Sequence, residues 1–175
     1  MRSDEVLQAL HDDHAEVRDM AKRIQAQLRR GGTRGPLEVL AASVLDFNAN
    51  VLVPHVEAEE QALLRVAREH LADIHPARLE EAEFRRAELI HAFADLRTRV
   101  QGGDDLRVAL RDVAASMHDY EAYEENVLLP WLEKELGGAL LREVAQRFEA
   151  IRLTQQGEVQ QQVAADVDAL TRIPP

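Results

Sequence analysis

Short clusters of glycine and proline interrupt the chain at four places, and they constrain its fold more than any other feature. The clusters are GGTRGP at 31–36, His75-Pro76, QGGDD at 101–105 and LGG at 136–138. Between them the polarity pattern predicts helices over about 3–30, 36–70, 76–101 and 104–136. No segment shows the alternation typical of strands. Long helices joined by short loops bury their apolar stripes by lying antiparallel, which predicts an all-α, up-down-up-down four-helix bundle.

A further helical pattern follows the fourth segment. Within residues 139–172, Val159, Val163 and Leu170 are spaced to form one apolar stripe. This stripe could dock on the bundle or on a second copy of the chain, which would make the protein a homo-oligomer. The sequence therefore predicts two parts, a bundle over residues 1–138 and a C-terminal helical extension over residues 139–175.

The chain is acidic and contains no cysteine. Its 175 residues are 46% hydrophobic, enough for one core, and 32 acidic against 21 basic residues give a net charge of −11. This charge would repel nucleic acid and anionic membrane surfaces, so cations are the expected partners. Without thiolates, a metal must be bound by nitrogen and oxygen. A charged N-terminus and the lack of a continuous apolar run of about 18 residues predict a cytoplasmic protein without a membrane span.

Two polar side chains lie on the apolar face of the second predicted helix. At about 100° of rotation per residue, His55 and Glu59 fall near the middle of this face, which is formed by Leu37, Leu40, Val44, Val51, Leu52, Ala62 and Val66. They are one turn apart, as two ligands of one metal ion would be. Because Pro54 cannot donate a hydrogen bond to Asn50, a kink is expected at this level.

The other helices also direct metal-binding residue types inward. On the first helix His14 lies at the edge of the apolar stripe, whereas His11 turns towards solvent. On the third helix Glu83 lies at the edge of the stripe and His91 on the far side, so Glu83 is favoured and His91 is the reserve. On the fourth helix three residues fall within the apolar face, namely Tyr120, Glu121 and Glu124.

Taken singly, these residues have ordinary explanations. A buried histidine or tyrosine is often a hydrogen-bonded core residue, and a glutamate on a helix is usually solvated. Several carboxylates and histidines converging in one core are different, because uncompensated buried carboxylates would become protonated or destabilise the fold. A pair of divalent or trivalent cations would compensate them. For Tyr120 alone, direct metal binding and a core role with a hydrogen-bonded hydroxyl stay equally open.

Three motifs carry a resemblance to a known family. LHDDHAEVRDM contains His14, HVEAEEQALL contains His55 and Glu59, and YEAYEENVLLPWL contains Glu124 and ends in a Pro-containing step. Over roughly residues 5–135, the chain resembles the hemerythrin-like HHE cation-binding family of four-helix bundles. Tyr120 stands where that family has a histidine, and the third helix lacks an inward histidine.

The resemblance implies a non-haem di-iron centre that serves oxygen binding, sensing, iron handling, or reactions with peroxide or nitric oxide. The ligand candidates for two iron ions are His14, His55, Glu59, Glu83, Tyr120, Glu121 and Glu124. Carboxylate and phenolate ligands favour the ferric state, which points to oxygen or peroxide chemistry, or to iron sequestration, over reversible oxygen carriage. A ferric Tyr120 phenolate would give visible colour that Tyr120→Phe removes.

The sequence leaves two other functional readings open. The same ligands would serve a metal-buffering or sensing module without turnover, so it is uncertain from sequence whether the chain is an enzyme. The polar residues could also form hydrogen-bond networks in a purely structural bundle. Zinc or manganese would accept the same imidazole and carboxylate donors as iron.

Overall fold

The protein is an all-α antiparallel four-helix bundle with a further helix packed against it. The computed structural model describes residues 7–31 and 33–171, with side chains as far as residue 155. The bundle helices are α1 (Gln8–Arg29), α2 (Arg34–Leu71), α3 (Pro76–Gly102) and α4 (106–136), which ends at the kink at Gly137. This part of the chain contains no strand. The predicted fold class is therefore confirmed, whereas the predicted start of the first helix at Ser3 lies outside the described residues.

Local sequence signals explain several helix ends. Pro76 begins α3, where its fixed φ suits the first turn and its missing N–H has no partner to lose. Gly103 follows the last residue of α3 with a left-handed φ of 72°, a conformation that favours glycine. Asp105 caps α4, because its carboxylate accepts a hydrogen bond from the Arg107 amide at 3.0 Å.

Helices α2 and α4 contain wider, π-helical turns close to the inward polar residues. These turns span Asn48–Leu52 and Glu60–Leu64 in α2 and Glu124–Leu128 in α4. A π turn changes the direction in which the residues after it point, and such turns are frequent at functional sites. The two turns in α2 flank the stretch that carries His55 and Glu59.

Proline accounts for two of these π turns. Pro54 and Pro130 each follow a π turn closely, and neither can donate the next hydrogen bond of an α-helix. In both cases an asparagine one turn before the proline donates its side-chain amide to the carbonyl four residues earlier, at 3.1 Å for Asn50 and 2.7 Å for Asn126. The kink expected at Pro54 thus takes the form of a π turn.

Two apolar clusters fill the interior, and a polar layer lies between them. The clusters include Leu63, Trp131 and Phe148 on one side and Ile24, Phe93 and Leu110 on the other. Where α1, α2 and α4 pass from one cluster to the other, they carry the buried residues His14, His55, Glu59 and Glu124. Apolar packing on both sides therefore shields the polar layer from water.

The chain turns at Gly137, and the helix beyond it packs back on the bundle. Gly137 has φ 69° and ψ 162°, a combination open mainly to glycine. In the helix that follows, α5 (138–171), Leu141, Val144 and Phe148 join the same apolar cluster as Leu63 of α2. This part of the extension docks on its own bundle. The side chains of the predicted C-terminal stripe, Val159, Val163 and Leu170, lie outside those described.

Helix α2 is also long and apolar enough to cross a membrane. An 18-residue window within Arg34–Leu71 has a mean hydropathy of 1.4, and 33% of that window is buried. The window is not a continuous apolar run, because polar residues such as Asp46 and Asn48 interrupt it. A core helix of a bundle has the same composition, and α2 carries the buried His55 and Glu59.

Candidate metal centre

Four side chains from three helices converge in the polar layer. They are His14 of α1, His55 and Glu59 of α2, and Glu124 of α4, and each offers one ligand atom within 4.8 Å of the others. Their exposed fractions are 0%, 2%, 1% and 3%. Two imidazole nitrogens and two carboxylates in a dry core form a donor set that suits a divalent metal ion.

The contacts between these side chains are short and centred on Glu59. His14 Nε2 lies 3.3 Å from Glu59 Oε1 and 3.0 Å from Glu124 Oε2, and His55 Nε2 lies 3.1 Å from the same Glu59 oxygen. His55 and Glu59 meet because they are one turn apart on α2. The antiparallel bundle then brings His14 and Glu124 to the same level.

Two atoms of this cluster make no hydrogen bond, although they are buried. They are His55 Nε2 and Glu124 Oε2. Both have neighbours within ion-pair distance, but not in hydrogen-bonding geometry. Buried polar atoms are rarely left in this state. The unsatisfied atoms face the centre of the cluster, so the residues fit a bound cation that would contact both of them.

A second carboxylate supports each histidine from outside. His55 Nδ1 lies 3.0 Å from Asp13 Oδ2, and His14 Nδ1 lies 2.6 Å from Glu125 Oε1. When an Nδ1–H donates to a carboxylate, the lone pair of Nε2 is free to face the centre. This arrangement of carboxylate, histidine and metal is typical of metal sites, where it fixes the ring and makes it a better ligand.

The carboxylates around His14 strongly favour its protonated form in the absence of a cation. Burial opposes the charge, but the close contacts with Glu124, Glu125 and Glu59 outweigh it and raise the pKa of His14 to about 12. Burial also opposes ionisation of Glu125, yet its contacts with His14 and His11 lower the pKa of that carboxyl to about 2. Glu125 is therefore an ionised acceptor for the His14 proton.

His55 and the two inward carboxylates show the same competition between burial and charge. Against burial, Glu59 and Asp13 raise the pKa of His55 to about 9. Burial, with the charge of Glu59 nearby, raises the pKa of Glu124 to about 8. Burial has the same tendency at Glu59, but the two histidines hold the pKa of Glu59 well below its usual value. At pH 7 these pKa values leave both histidines and Glu124 protonated when no cation is bound.

A scan against protein-family models matches residues 5–132 to the hemerythrin HHE cation-binding domain. The chain belongs to this family. No curated protein and no solved structure matches it significantly. The hemerythrin-type match ends at residue 132, so α5 lies beyond the part of the chain that the family model describes.

Tyr120 and Glu121 of the hemerythrin-type domain are buried as predicted, but neither is one of the four converging donors. The Tyr120 hydroxyl donates a hydrogen bond to Glu59 Oε2. Burial, together with the charges of Glu124 and Glu59, raises the pKa of Tyr120 well above its usual value. Glu121 turns away from the centre and binds Arg18, with 2.8 Å between Arg18 Nη2 and Glu121 Oε1.

The structure does not bring Glu83 to the centre, which corrects the placement predicted on the third helix. Its side chain is exposed and binds Arg68 of α2 at 2.8 Å. The reserve candidate His91 is exposed as well. Glu83 lies about 100° around α3 from the buried Ala82, which turns it out of the core. Among the described residues, α3 supplies no ligand atom to the cluster.

Sequence reasoning does not identify the residues that support the two histidines. Asp13 is adjacent to His14 but supports His55, a contact between helices that spacing on one helix cannot show. Glu125 was visible only as part of the fourth-helix motif. His11 does turn towards solvent, as predicted, with 31% of its side chain exposed, yet its Nδ1 contacts Glu125 at 2.9 Å.

Proposed function

We propose that this hemerythrin-type protein binds iron between His14, His55, Glu59 and Glu124 and uses it in redox chemistry with oxygen or peroxide. One observation carries the proposal, namely that four donors converge in a dry core while two of their atoms lack hydrogen bonds. A bound iron ion would supply the one-electron redox change that the protein side chains lack.

Membership of the hemerythrin family, and not the donor types alone, is the reason to propose iron rather than zinc. Structural zinc is satisfied by four protein ligands in a tetrahedron. Iron accepts mixed imidazole and carboxylate donors and commonly keeps further positions open for small ligands. Four donors from this chain would leave such positions available. Manganese accepts the same donors, so the metal must be identified by analysis.

The number of ions is a separate part of the proposal. The sequence predicts two, but the cluster supplies four donors, whereas ferritin-like di-iron sites use about six. A second ion here would be held by oxygens of Glu59 and Glu124 together with the Tyr120 oxygen, which would have to lose its proton. The four-donor cluster supports one ion per chain more directly than two.

The protein side chains would bind, orient and shield this ion. Asp13 and Glu125 orient the two histidines through their Nδ1 atoms. Tyr120 donates to Glu59 Oε2, which leaves the other oxygen of Glu59 towards the histidines. The two apolar clusters exclude water from the centre.

Elemental analysis tests this proposal. Protein purified from iron-replete cells should contain close to one iron per chain, and Glu59→Ala should contain almost none. Glu83→Gln, which changes an exposed glutamate outside the cluster, should load like the wild type. Negligible metal in the wild type, or equal loading of Glu59→Ala, would refute the site. Two ions per chain would restore the dinuclear prediction.

Metal buffering or sensing without turnover is the second candidate, and the burial of the centre favours it. All four donors are at most 3% exposed, so a substrate larger than a diatomic molecule or peroxide would need a path opened by protein motion. Sustained oxygen release from hydrogen peroxide by the iron-loaded protein would support an enzyme. Oxidation that stops at one equivalent would support a binding module.

A further inference from the structure

The helix beyond the family match reaches the metal centre. α5 begins after Gly137, and Phe148 is buried among residues of α2 and α4 with 1% of its surface exposed. One turn later, Arg152 lies beside α1. These residues follow the hemerythrin-type match, which ends at residue 132. Whatever they do at the centre is therefore a property of this chain that the family model does not describe.

Arg152 holds the carboxylate that supports His55. Its Nη2 lies 2.8 Å from Asp13 Oδ1, while Asp13 Oδ2 lies 3.0 Å from His55 Nδ1. Both oxygens of Asp13 are thus engaged, one by the arginine and one by the histidine. Because the Asp13 side chain is only 8% exposed, this pair is screened far less than an ion pair at the surface.

Ring contacts with Phe148 hold His55 on the side opposite Asp13. The Phe148 ring meets the His55 ring edge-on, with centroids 5.8 Å apart, and the Arg152 guanidinium lies 5.9 Å from the Phe148 ring. Gln155 of α5 also donates to the Pro54 carbonyl at 3.2 Å, next to His55 in the chain. His55 is therefore held between Asp13 and Phe148. Phe148 belongs to α5, and Asp13 is paired with Arg152 of α5.

We propose that Arg152 is a positioning residue of the metal centre. It fixes Asp13 so that this carboxylate accepts the Nδ1 proton of His55 and directs Nε2 towards the cation. The C-terminal helix then sets how firmly His55 holds the metal. The inference rests on the proposed function, because it assumes that His55 is a ligand.

The physical reason is the freedom of an unpaired carboxylate. Without Arg152, Asp13 would keep only its bond to His55 and could rotate towards water. His55 would then lose part of the restraint that holds its ring in the ligand orientation. Outer carboxylates of this kind typically contribute about 10- to 100-fold to metal affinity, and the residue that fixes one should contribute a share of that factor.

Competition between chelator and full-length protein for Co²⁺ measures the effect, because cobalt reports binding by its visible absorption. We expect Arg152→Met to lower the affinity about tenfold, the lower end of the range for outer partners, and Arg152→Lys to recover part of the loss. Arg147→Met is the matched control. Arg147 lies on the same helix and pairs with Glu143 at 2.5 Å, so its loss should leave the affinity unchanged.

A double-mutant cycle separates positioning from a general loss of helix docking. If Arg152 acts through Asp13, Arg152→Met should have no further effect once Asp13→Asn is present. An equal loss in both backgrounds, or equal affinities of Arg152→Met and Arg147→Met, would overturn the inference. Failure of the wild type to bind Co²⁺ would instead refute the proposed function, so the two failures are distinguishable.

A nuclear magnetic resonance measurement keeps the test decisive if α5 loosens in the variant. In zinc-loaded protein, Arg152→Met should shift the Nδ1 proton resonance of His55, while the resonance of His14 stays close to that of the wild type. His14 is supported by Glu125 of α4, and none of its contacts with the described residues comes from α5. Equal shifts at both histidines would show a global change and contradict a positioning role.

Discussion

The two histidines of the centre occupy similar positions in the fold but different surroundings. His14 contacts three carboxylates, from Glu59, Glu124 and Glu125. His55 contacts two, from Glu59 and Asp13, and has the Phe148 ring on another side. Accordingly, the pKa of His14 rises to about 12 and that of His55 only to about 9, since each additional carboxylate favours the imidazolium.

The different surroundings of the two histidines suggest different roles for them. On the His14 side, the contacts of the described residues come from Glu59 of α2 and from Glu124 and Glu125 of α4, which lie within the family match. On the His55 side, the supporting carboxylate is held by α5, beyond that match. We infer that His14 is the main counter-charge for the buried carboxylates, whereas His55 is the ligand through which the rest of the chain acts on the metal.

Replacing each histidine by alanine should give the largest difference in stability between the two sides of the centre. His14→Ala leaves Glu59, Glu124 and Glu125 without their shared partner, and removing one member of a buried ion pair costs about 3–5 kcal/mol. His55→Ala should cost less, because Glu59 keeps its contact with His14. Urea denaturation of chelator-treated protein at pH 7 measures both, and both variants should lose metal binding. Equal destabilisation would contradict the division of roles.

The pH dependence of metal affinity should separate the two histidines. Their raised pKa values, about 12 for His14 and about 9 for His55, mean that both carry a proton at pH 7. A metal ion needs neutral imidazole, so binding must release these protons. The Glu124 carboxyl, with its pKa of about 8, releases a third proton below that pH. The apparent affinity should therefore rise by about 1000-fold per unit between pH 6 and 7 and by about 100-fold per unit between pH 8 and 9.

Above pH 9 the slope should fall, because His55 has then lost its proton in the metal-free protein while His14 still carries one. Cobalt or zinc titrations at several pH values, checked by calorimetry in two buffers of different ionisation enthalpy, count the protons. An affinity that does not change with pH would show that the ligands are not protonated in the metal-free protein.

The inward positions were predictable because they depend on helical periodicity. His55 and Glu59 fall in the middle of a clear apolar stripe, and the structure buries both. His14 and Glu124 follow from the same reasoning on α1 and α4. Periodicity fails at the edge of a stripe, where one step of 100° decides between core and solvent. Glu83 lies at such an edge, and its side chain forms an ion pair with Arg68 outside the core.

The outer partners could not be predicted because they cross between helices. Asp13 precedes His14 in the chain but supports His55, and Arg152 reaches Asp13 only because the chain turns at Gly137. Sequence spacing predicts which residues share a face of one helix. It does not predict the rotation of one helix against another, which decides the pairs that meet.

Removing the outer carboxylate of His14 should weaken metal binding on the His14 side of the centre. Glu125→Gln keeps the shape of the side chain but removes the charge that orients the His14 Nδ1–H, and we expect about 10- to 100-fold weaker metal binding. Asp13→Asn should give a loss of the same order on the His55 side. Chelator competition measures both, with Glu83→Gln as the control. A loss confined to one side would mean that only that histidine is a ligand.

The smallest effect on the metal centre is expected from a change at Tyr120. Its hydroxyl donates to the Glu59 oxygen that is turned away from the histidines. Burial and the nearby carboxylates raise the pKa of this phenol well above its usual value, so it acts as a neutral donor in the metal-free protein. Tyr120→Phe should cost about 1.5–3 kcal/mol of stability, the usual range for a hydrogen bond to a charged group. It should leave the visible spectrum of the ferric protein unchanged, because a donor to Glu59 is not a ligand.

A charge-transfer band that is present in the wild type and lost in Tyr120→Phe would show instead that a cation displaces the phenol proton and binds the oxygen. Tyr120 would then supply a fifth donor, and the case for a second ion would be correspondingly stronger.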